Sequence, residues 1–446
     1  MPNASTSDAW STASSTPERS TAEHSGRRSA RSAFESARLE PFDHTQISPF
    51  LRVIIKPMCN SIYHRTEIAE SLAQRLLTPT VFQESARDGL FITGVRRIGK
   101  TTFLQQDLIP ALKKKGALVI YADLWGNREH MSPTQTVLSE LQTAFSNLSS
   151  PLSLSELKVD LKSLSLSFKA DQVGKTNGVS LAHAFREVID KVQTDIVLII
   201  DEIQETLKSE SGQNLLAALK SARDAVNLRF PNPDNTHLLI IGTGSHRSFV
   251  DGMASKSSQA FYGADRMDFP LLEEDYVKWE AERIRMSATE DPAILPSEDA
   301  LLNGFQTLGF RPKTFRKLLQ DLQRFQGVNE VDEAFLLMCT SQARSDAEEF
   351  LGPIKTSDDI TKFIFTEIAN SGEFGCMNLY STAFLKRLTE SVGRTSLIRA
   401  SSVQAKLNKM QKLDWIYPVR YGSYAVSDPQ AALVWLDHLE EYLNGF

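Results

Sequence analysis

Cysteine is scarce in this chain: 446 residues carry three, Cys59, Cys339 and Cys376. They stand far apart and follow no metal-ligand spacing, which sets aside a disulfide framework and a structural zinc site. A reducing, cytoplasmic setting is the expectation. Long apolar runs are missing too. The longest, Ile196-Val-Leu-Ile-Ile200 and Leu238-Leu-Ile-Ile241, have the length of buried strands, whereas a membrane helix needs about 20 apolar residues. No membrane partner is expected. Positive charge is not in excess either, with 49 Lys and Arg against 55 Asp and Glu, a net charge of −6. That balance argues against wholesale coating of nucleic acid and leaves room for a local basic patch. No internal repeat is visible.

What is there suffices for two or three folded units, since 41% of the residues are apolar and one core rarely organises so long a chain. Residues 1–44 are the exception. The first 40 residues hold 14 Ser or Thr and few apolar side chains beyond Trp10, Phe34 and Leu39, too little to offset the entropy of ordering. A disordered Ser/Thr/Arg-rich tail is expected there. From about residue 45, short apolar strands alternate with amphipathic helices, the pattern of an α/β sheet with helical crossovers. Gly89–Gly94, Ala117–Ala122, Asp195–Asp201 and His237–Thr243 read as strands, after which the sheet is expected to stop. A helix from Thr101 to Lys115 should break or kink at Pro110. Alternation over 157–168 suggests an inserted hairpin, and Pro231–Asn235 a turn. Residues 45–286 therefore form a sheet core, 287–350 a helical lid, and a last segment of 351–446 begins near Gly352-Pro353.

A triphosphate needs several backbone N–H donors aimed at one point, a cation reaching the β- and γ-oxygens, and a hydroxyl for Mg²⁺. Gly94-Val95-Arg96-Arg97-Ile98-Gly99-Lys100-Thr101 supplies them between a strand and a helix: two glycines for the wrapped backbone, Lys100 for charge, Thr101 for the metal. Thr102 is placed to help hold the α-phosphate. Gly174-Lys175-Thr176 spells the same ending, but Lys169 stands where the first glycine must be, and it is given no role. Hydrolysis also requires one carboxylate for Mg²⁺ and one for the attacking water. Asp201 and Glu202 directly follow the run Val197–Ile200, so they should emerge at the sheet's C-terminal edge, where ligands of open α/β sheets bind. Thr243 and Ser245 end the next strand and are candidates to hold the water or sense the γ-phosphate. Arg266 and Arg311 are candidate γ-phosphate cations.

In the last segment three amphipathic helices (358–370, 378–392 and Ala400–Lys412) precede a small hairpin around Arg420–Ser423, the outline of a winged helix-turn-helix. Between Tyr380 and Arg420 lie Lys386, Arg387, Arg394, Arg399, Lys406, Lys409, Lys412 and Arg420 against Glu390 and Asp414. This excess would suit double-stranded DNA, while a protein partner or a homo-oligomer is the alternative use of such a module.

With these residues in view, the chain resembles the bacterial and archaeal AAA+/STAND ATPases that carry a Gly-x-Arg-Arg-x-Gly-Lys-Thr loop. The likeness spans about residues 45–446 and rests on Gly94–Thr101, Leu198–Gln204, Gly242–Ser245, Phe261–Gly263, and Tyr424–Pro429 followed by Trp435-Leu436. It implies an ATP switch with a nucleotide core, helical lid and winged helix. Lys100 and Thr101 would bind ATP and Mg²⁺, Asp201 would be the Walker B acid and Glu202 the catalytic base. His64–Glu67 would cover the adenine. Two departures stand out: Ala264-Asp265 separate Arg266 from the Tyr-Gly pair, and any of Arg311, Lys313 and Arg316 could be the lid's phosphate cation.

Overall fold

The computed structural model describes residues 62–126, 131–148, 181–229, 235–255, 257–287, 294–324, 330–420 and 422–439, all within one compact unit, Lys56–Phe446. The expected tail, the 157–168 hairpin, the 174–176 stretch and most of the 231–235 turn lie outside the described residues. No described helix is long and apolar enough to cross a membrane.

Helix α1 (Thr66–Leu77) leads into strand β1 (Leu90–Thr93). After the loop come α2 (Lys100–Phe103), a π-helical turn (Leu104–Leu108) and α3 (Ile109–Lys114). Of the expected break or kink at Pro110, the break is not seen: helical structure continues through it. It lacks an N–H to donate, and the ladder changes register over the turn just before it. Strand β2 (Leu118–Asp123), α4 (Pro133–Leu148), α5 (Leu181–Val192), β3 (Ile196–Asp201), α6 (Glu210–Asn227), β4 (Leu238–Gly244) and α7 (Arg247–Ser255) follow. The sheet does not stop there. A further strand, β5 (Asp265–Asp268), pairs with β1 at the sheet's edge. Its sequence, Asp-Arg-Met-Asp, carries no apolar run to announce a strand, and charge is what exposed edges commonly bear.

The five strands are parallel in the order β2-β3-β4-β1-β5. Strands β3 and β4 are buried at every position, which is why they read as continuous apolar runs. Alternate residues still serve opposite faces: Leu198, Ile200 and Ile240 pack with α4–α6, whereas Val197, Ile199 and Ile241 pack with α1–α3. The order puts the ends of β1, β3 and β4 side by side.

Beyond the sheet, α8 (Glu274–Ser287), α9 (Glu298–Thr307), α10 (Pro312–Leu322) and the first part of α11 (Val331–Lys355) share a core around Tyr276, Phe305, Phe315 and Phe335. Left-handed Gly309 and Phe310 turn the chain between α9 and α10. Helix α11 runs through Gly352-Pro353. The end of α11 packs with α12 (Asp359–Asn370), α13 (Thr382–Ser391), α14 (Ala400–Lys412), the antiparallel pair β6 (Ile416–Arg420) and β7 (Ser423–Val426), and α15 (Pro429–Asp437) around Phe365 and Trp435.

Candidate nucleotide site

The loop after β1 is built for a tight wrap. Gly99 sits at φ 95° and caps α2, and Arg97 is left-handed at φ 70°. A Cβ on Gly94 would lie 2.8 Å from Ile98 Cδ1 and 3.2 Å from Phe269 Cβ, so a larger residue there would have to displace both neighbours. Lys100 is buried, and its ammonium donates to the carbonyl oxygens of Gly94 at 2.7 Å and Val95 at 2.8 Å. Burial lowers its pKa to about 8, against the pull of Glu202 and Asp201, which favour the charge. It remains a cation at neutral pH.

Asp201 ends β3, buried, and gathers donors from four directions. Thr101 Oγ1 donates at 2.7 Å, the Tyr121 hydroxyl at 3.0 Å and the Glu202 amide at 3.1 Å, with Thr243 Oγ1 as the fourth. Burial and the neighbouring Asp201 charge push the Tyr121 phenol far up, so it stays a donor. Glu202 is left-handed at φ 57°, which turns its carboxylate off the strand direction. That carboxylate accepts from Ser245 Oγ at 3.0 Å and from Gln204 Nε2. The structure thus brings Lys100, Thr101, Asp201, Glu202, Thr243 and Ser245 together, from the ends of β3 and β4 and the start of α2.

The arginines part company. Arg96 is engaged at the end of β4: its Nε donates to Ser245 Oγ at 3.2 Å, an Nη lies 3.4 Å from His246 Nε2, and its guanidinium stacks 4.9 Å from the Trp125 ring centre. Arg97 is exposed. Arg311 is buried, with one arm on Asp346 at 3.0 Å and the other on Asp428 at 2.7 Å. It shares a cavity of about 300 Å³ with Val95, Arg96 and Arg97, but both its arms are taken by carboxylates. Arg266, exposed on β5, lines a different cavity with Thr93, Arg247, Asp268 and Tyr417. A third cavity, about 380 Å³, opens beside Ile98, Gly99 and Thr102, walled by Tyr63, Tyr276 and Lys313. Arg65 is anchored next to it through the Pro270 and Leu271 carbonyls, and His64 Nδ1 lies 2.7 Å from Asp107. Arg316 lines this cavity while paired with the fully buried Glu280.

Sequence reasoning passed over Tyr121, His246 and Asp414. Tyr121 is found only through the register that sets Asp123 against Asp201, and Asp414 lies far along the chain from His246, with Oδ2 3.3 Å from His246 Nδ1.

A strand-to-helix loop with a buried lysine, a threonine joined to a strand-end aspartate, and a glutamate beside it define the phosphate site of a P-loop ATPase. Residues 79–260 match the family described as an ATPase domain predominantly from Archaea. The chain is an ATP-hydrolysing enzyme. No curated protein matches it. Among solved structures it is similar to a Walker-type ATPase of Pyrococcus abyssi, with 21% identity, 84% of this chain and 95% of that one covered, and a TM-score of 0.48. It is also similar to the ORC2 protein of Aeropyrum pernix in its ADPNP–ADP complexes, with 14% identity, 90% and 96% covered, and a TM-score of 0.47.

Proposed function

We propose that the chain is an ATP-driven switch of the AAA+/STAND type, in which nucleotide state at the P-loop controls a C-terminal winged-helix module. The observation that carries this reading is a run of polar contacts: Glu202 to Ser245, Ser245 to Arg96 and Arg96 to His246, with His246 Nδ1 then 3.3 Å from Asp414 Oδ2 just ahead of β6. A second path joins Arg247 to both Asp268 at 2.6 Å and the Tyr417 hydroxyl at 2.8 Å. A change at the γ-phosphate is thereby felt where the module meets the core.

In this reading the backbone amides of Gly94–Thr102 and the Lys100 ammonium hold the phosphates, and the cavity walled by Tyr63 and Tyr276 takes the base. Thr101 and Asp201 fit Mg²⁺: their donors are hard oxygens already 2.7 Å apart, and this ion keeps several positions for water and phosphate. When bound, the ion offsets charge on the β- and γ-oxygens. Glu202 accepts the proton of the attacking water, and Ser245 holds its carboxylate in place. Lys313, exposed at the start of α10 and facing the base cavity, is the lid cation in place of Arg311.

Steady-state ATP hydrolysis and nucleotide binding test this together. Glu202→Gln should bind nucleotide and hydrolyse it roughly 10² to 10⁴ times more slowly, the usual worth of a general base, while Lys100→Ala should fail to bind. A Glu202→Gln enzyme as fast as the parent sinks the reading. DNA contact is the second reading, favoured by the exposed Lys386, Arg394, Arg399, Lys409 and Lys412. It requires hydrolysis stimulated by duplex DNA at low salt and less so at physiological salt. A rate indifferent to DNA points instead to a protein partner or a homo-oligomer.

A further inference from the structure

We infer that Arg96 is a positioning residue for hydrolysis, its side chain serving Glu202 through Ser245 rather than binding phosphate. The inference rests on the reading that Glu202 is the base. A guanidinium on a phosphate loop would ordinarily be assigned to the phosphates, but three separate contacts fix this one elsewhere. Its Nε donates to Ser245 Oγ at 3.2 Å, its face lies over Trp125, and an Nη reaches toward His246. The consequence lies at the serine. A hydroxyl has one proton, and because Arg96 donates to the oxygen, that proton is free to go to Glu202 Oε2, which receives it at 3.0 Å. Arg96 therefore sets the direction of the Ser245 hydroxyl. With Gln204 donating to the same carboxylate oxygen, Oε2 is fully committed. The other oxygen, Oε1, is left to take the proton from water. Without Arg96 the hydroxyl can rotate, and the carboxylate loses one of its two restraints.

The arrangement also explains why a lysine would be a poor substitute. One ammonium on a flexible stem cannot stack on the indole and present a fixed donor to Ser245 at the same time.

The test is the split between kcat and KM. Arg96→Ala should lower kcat roughly tenfold, the effect of misplacing a base rather than removing it, with KM and ADP affinity within about twofold of the parent. Arg96→Lys should recover less than half of that loss. In a Ser245→Ala background, adding Arg96→Ala should cost little more, since the two act in series. A raised KM with kcat unchanged would make Arg96 a phosphate ligand and overturn the proposal, as would a raised kcat or fully additive losses. Thermal unfolding of each variant checks that the fold survives. The reading beneath is judged separately: if Glu202→Gln is inactive and Arg96→Ala keeps the parental kcat, only the positioning role fails.

Discussion

At the scale of single residues, the site is organised by carboxylates that are held rather than free. Asp201 is met by four donors and Glu202 by two, so neither can drift. Gly244 shows how little slack remains. A Cβ there would fall 2.2 Å from Gln204 Oε1 and 2.6 Å from Val250 Cγ2, and Gln204 is only 1% exposed, with no room to retreat. Gly244→Ala should therefore displace Gln204 from Glu202, cutting turnover while costing about 1–3 kcal/mol of stability through overpacking. Hydrolysis rates and chemical denaturation read the two effects, and an alanine variant with parental turnover would show that Gln204 is dispensable. The glycine and carboxylate spacing around Gly94–Thr101 and Asp201-Glu202 was readable without coordinates, because that chemistry demands residues close in sequence or at strand ends. The donors Tyr121 and Gln204 were assigned no role, since one depends on strand register and the other on a left-handed turn at Glu202.

At the scale of elements, periodicity announced what is apolar and missed what is charged. Strands β3 and β4 were plain from composition. Strand β5 was not, because an edge strand needs no apolar signature to complete its ladder with β1. The same limit governed the lid: Arg311 was a candidate phosphate cation, but nothing local says that it turns inward to Asp346 and Asp428. This gives opposite outcomes for two neighbours. Arg311→Ala leaves two half-buried carboxylates without their cation and should destabilise the protein by about 3 kcal/mol or more, with nucleotide affinity changed little in the folded fraction. Lys313→Ala removes an exposed side chain at the cavity walled by Tyr63 and Tyr276 and should leave stability within about 0.5 kcal/mol, while on the proposed reading weakening nucleotide binding roughly tenfold through a lost charge-assisted contact. Unfolding curves beside nucleotide titrations separate them; a large loss of affinity in folded Arg311→Ala would return that arginine to the phosphate.

At the scale of the whole molecule, the ATPase core and the C-terminal module meet at a contact that carries a proton. His246 ends the β4 loop and Asp414 precedes β6, their side chains 21% and 15% exposed. Burial, with Arg96 and Lys208 adding to it against Glu205, lowers the His246 imidazole from 6.5 to about 4. Burial raises the Asp414 carboxyl from 3.8 to about 8, opposed by Arg96 and Ser427 and helped by Glu202. Both groups are thus neutral at pH 7. Folding then takes up a proton at Asp414 wherever the unfolded carboxylate would be charged, so its contribution is complete below pH 3.8 and is lost as the pH rises through about 8. His246 contributes in the opposite sense, fully above 6.5 and lost as the pH falls toward 4. Between pH 4 and 6.5 the two slopes cancel. Between 6.5 and 8 Asp414 acts alone, and the pair should lose stability by up to about 1.4 kcal/mol per pH unit as the pH rises. Asp414→Asn cannot titrate and His246 is common to both proteins, so the stability of the parent minus that of the variant should fall with one slope from about pH 4 to 8. The variant alone should gain stability from pH 4 to 6.5, as the uncompensated His246 slope emerges. Denaturant midpoints across this range measure both, and a difference curve flat from 6.5 to 8 would mean that the buried carboxyl at the junction is ionised in the folded protein.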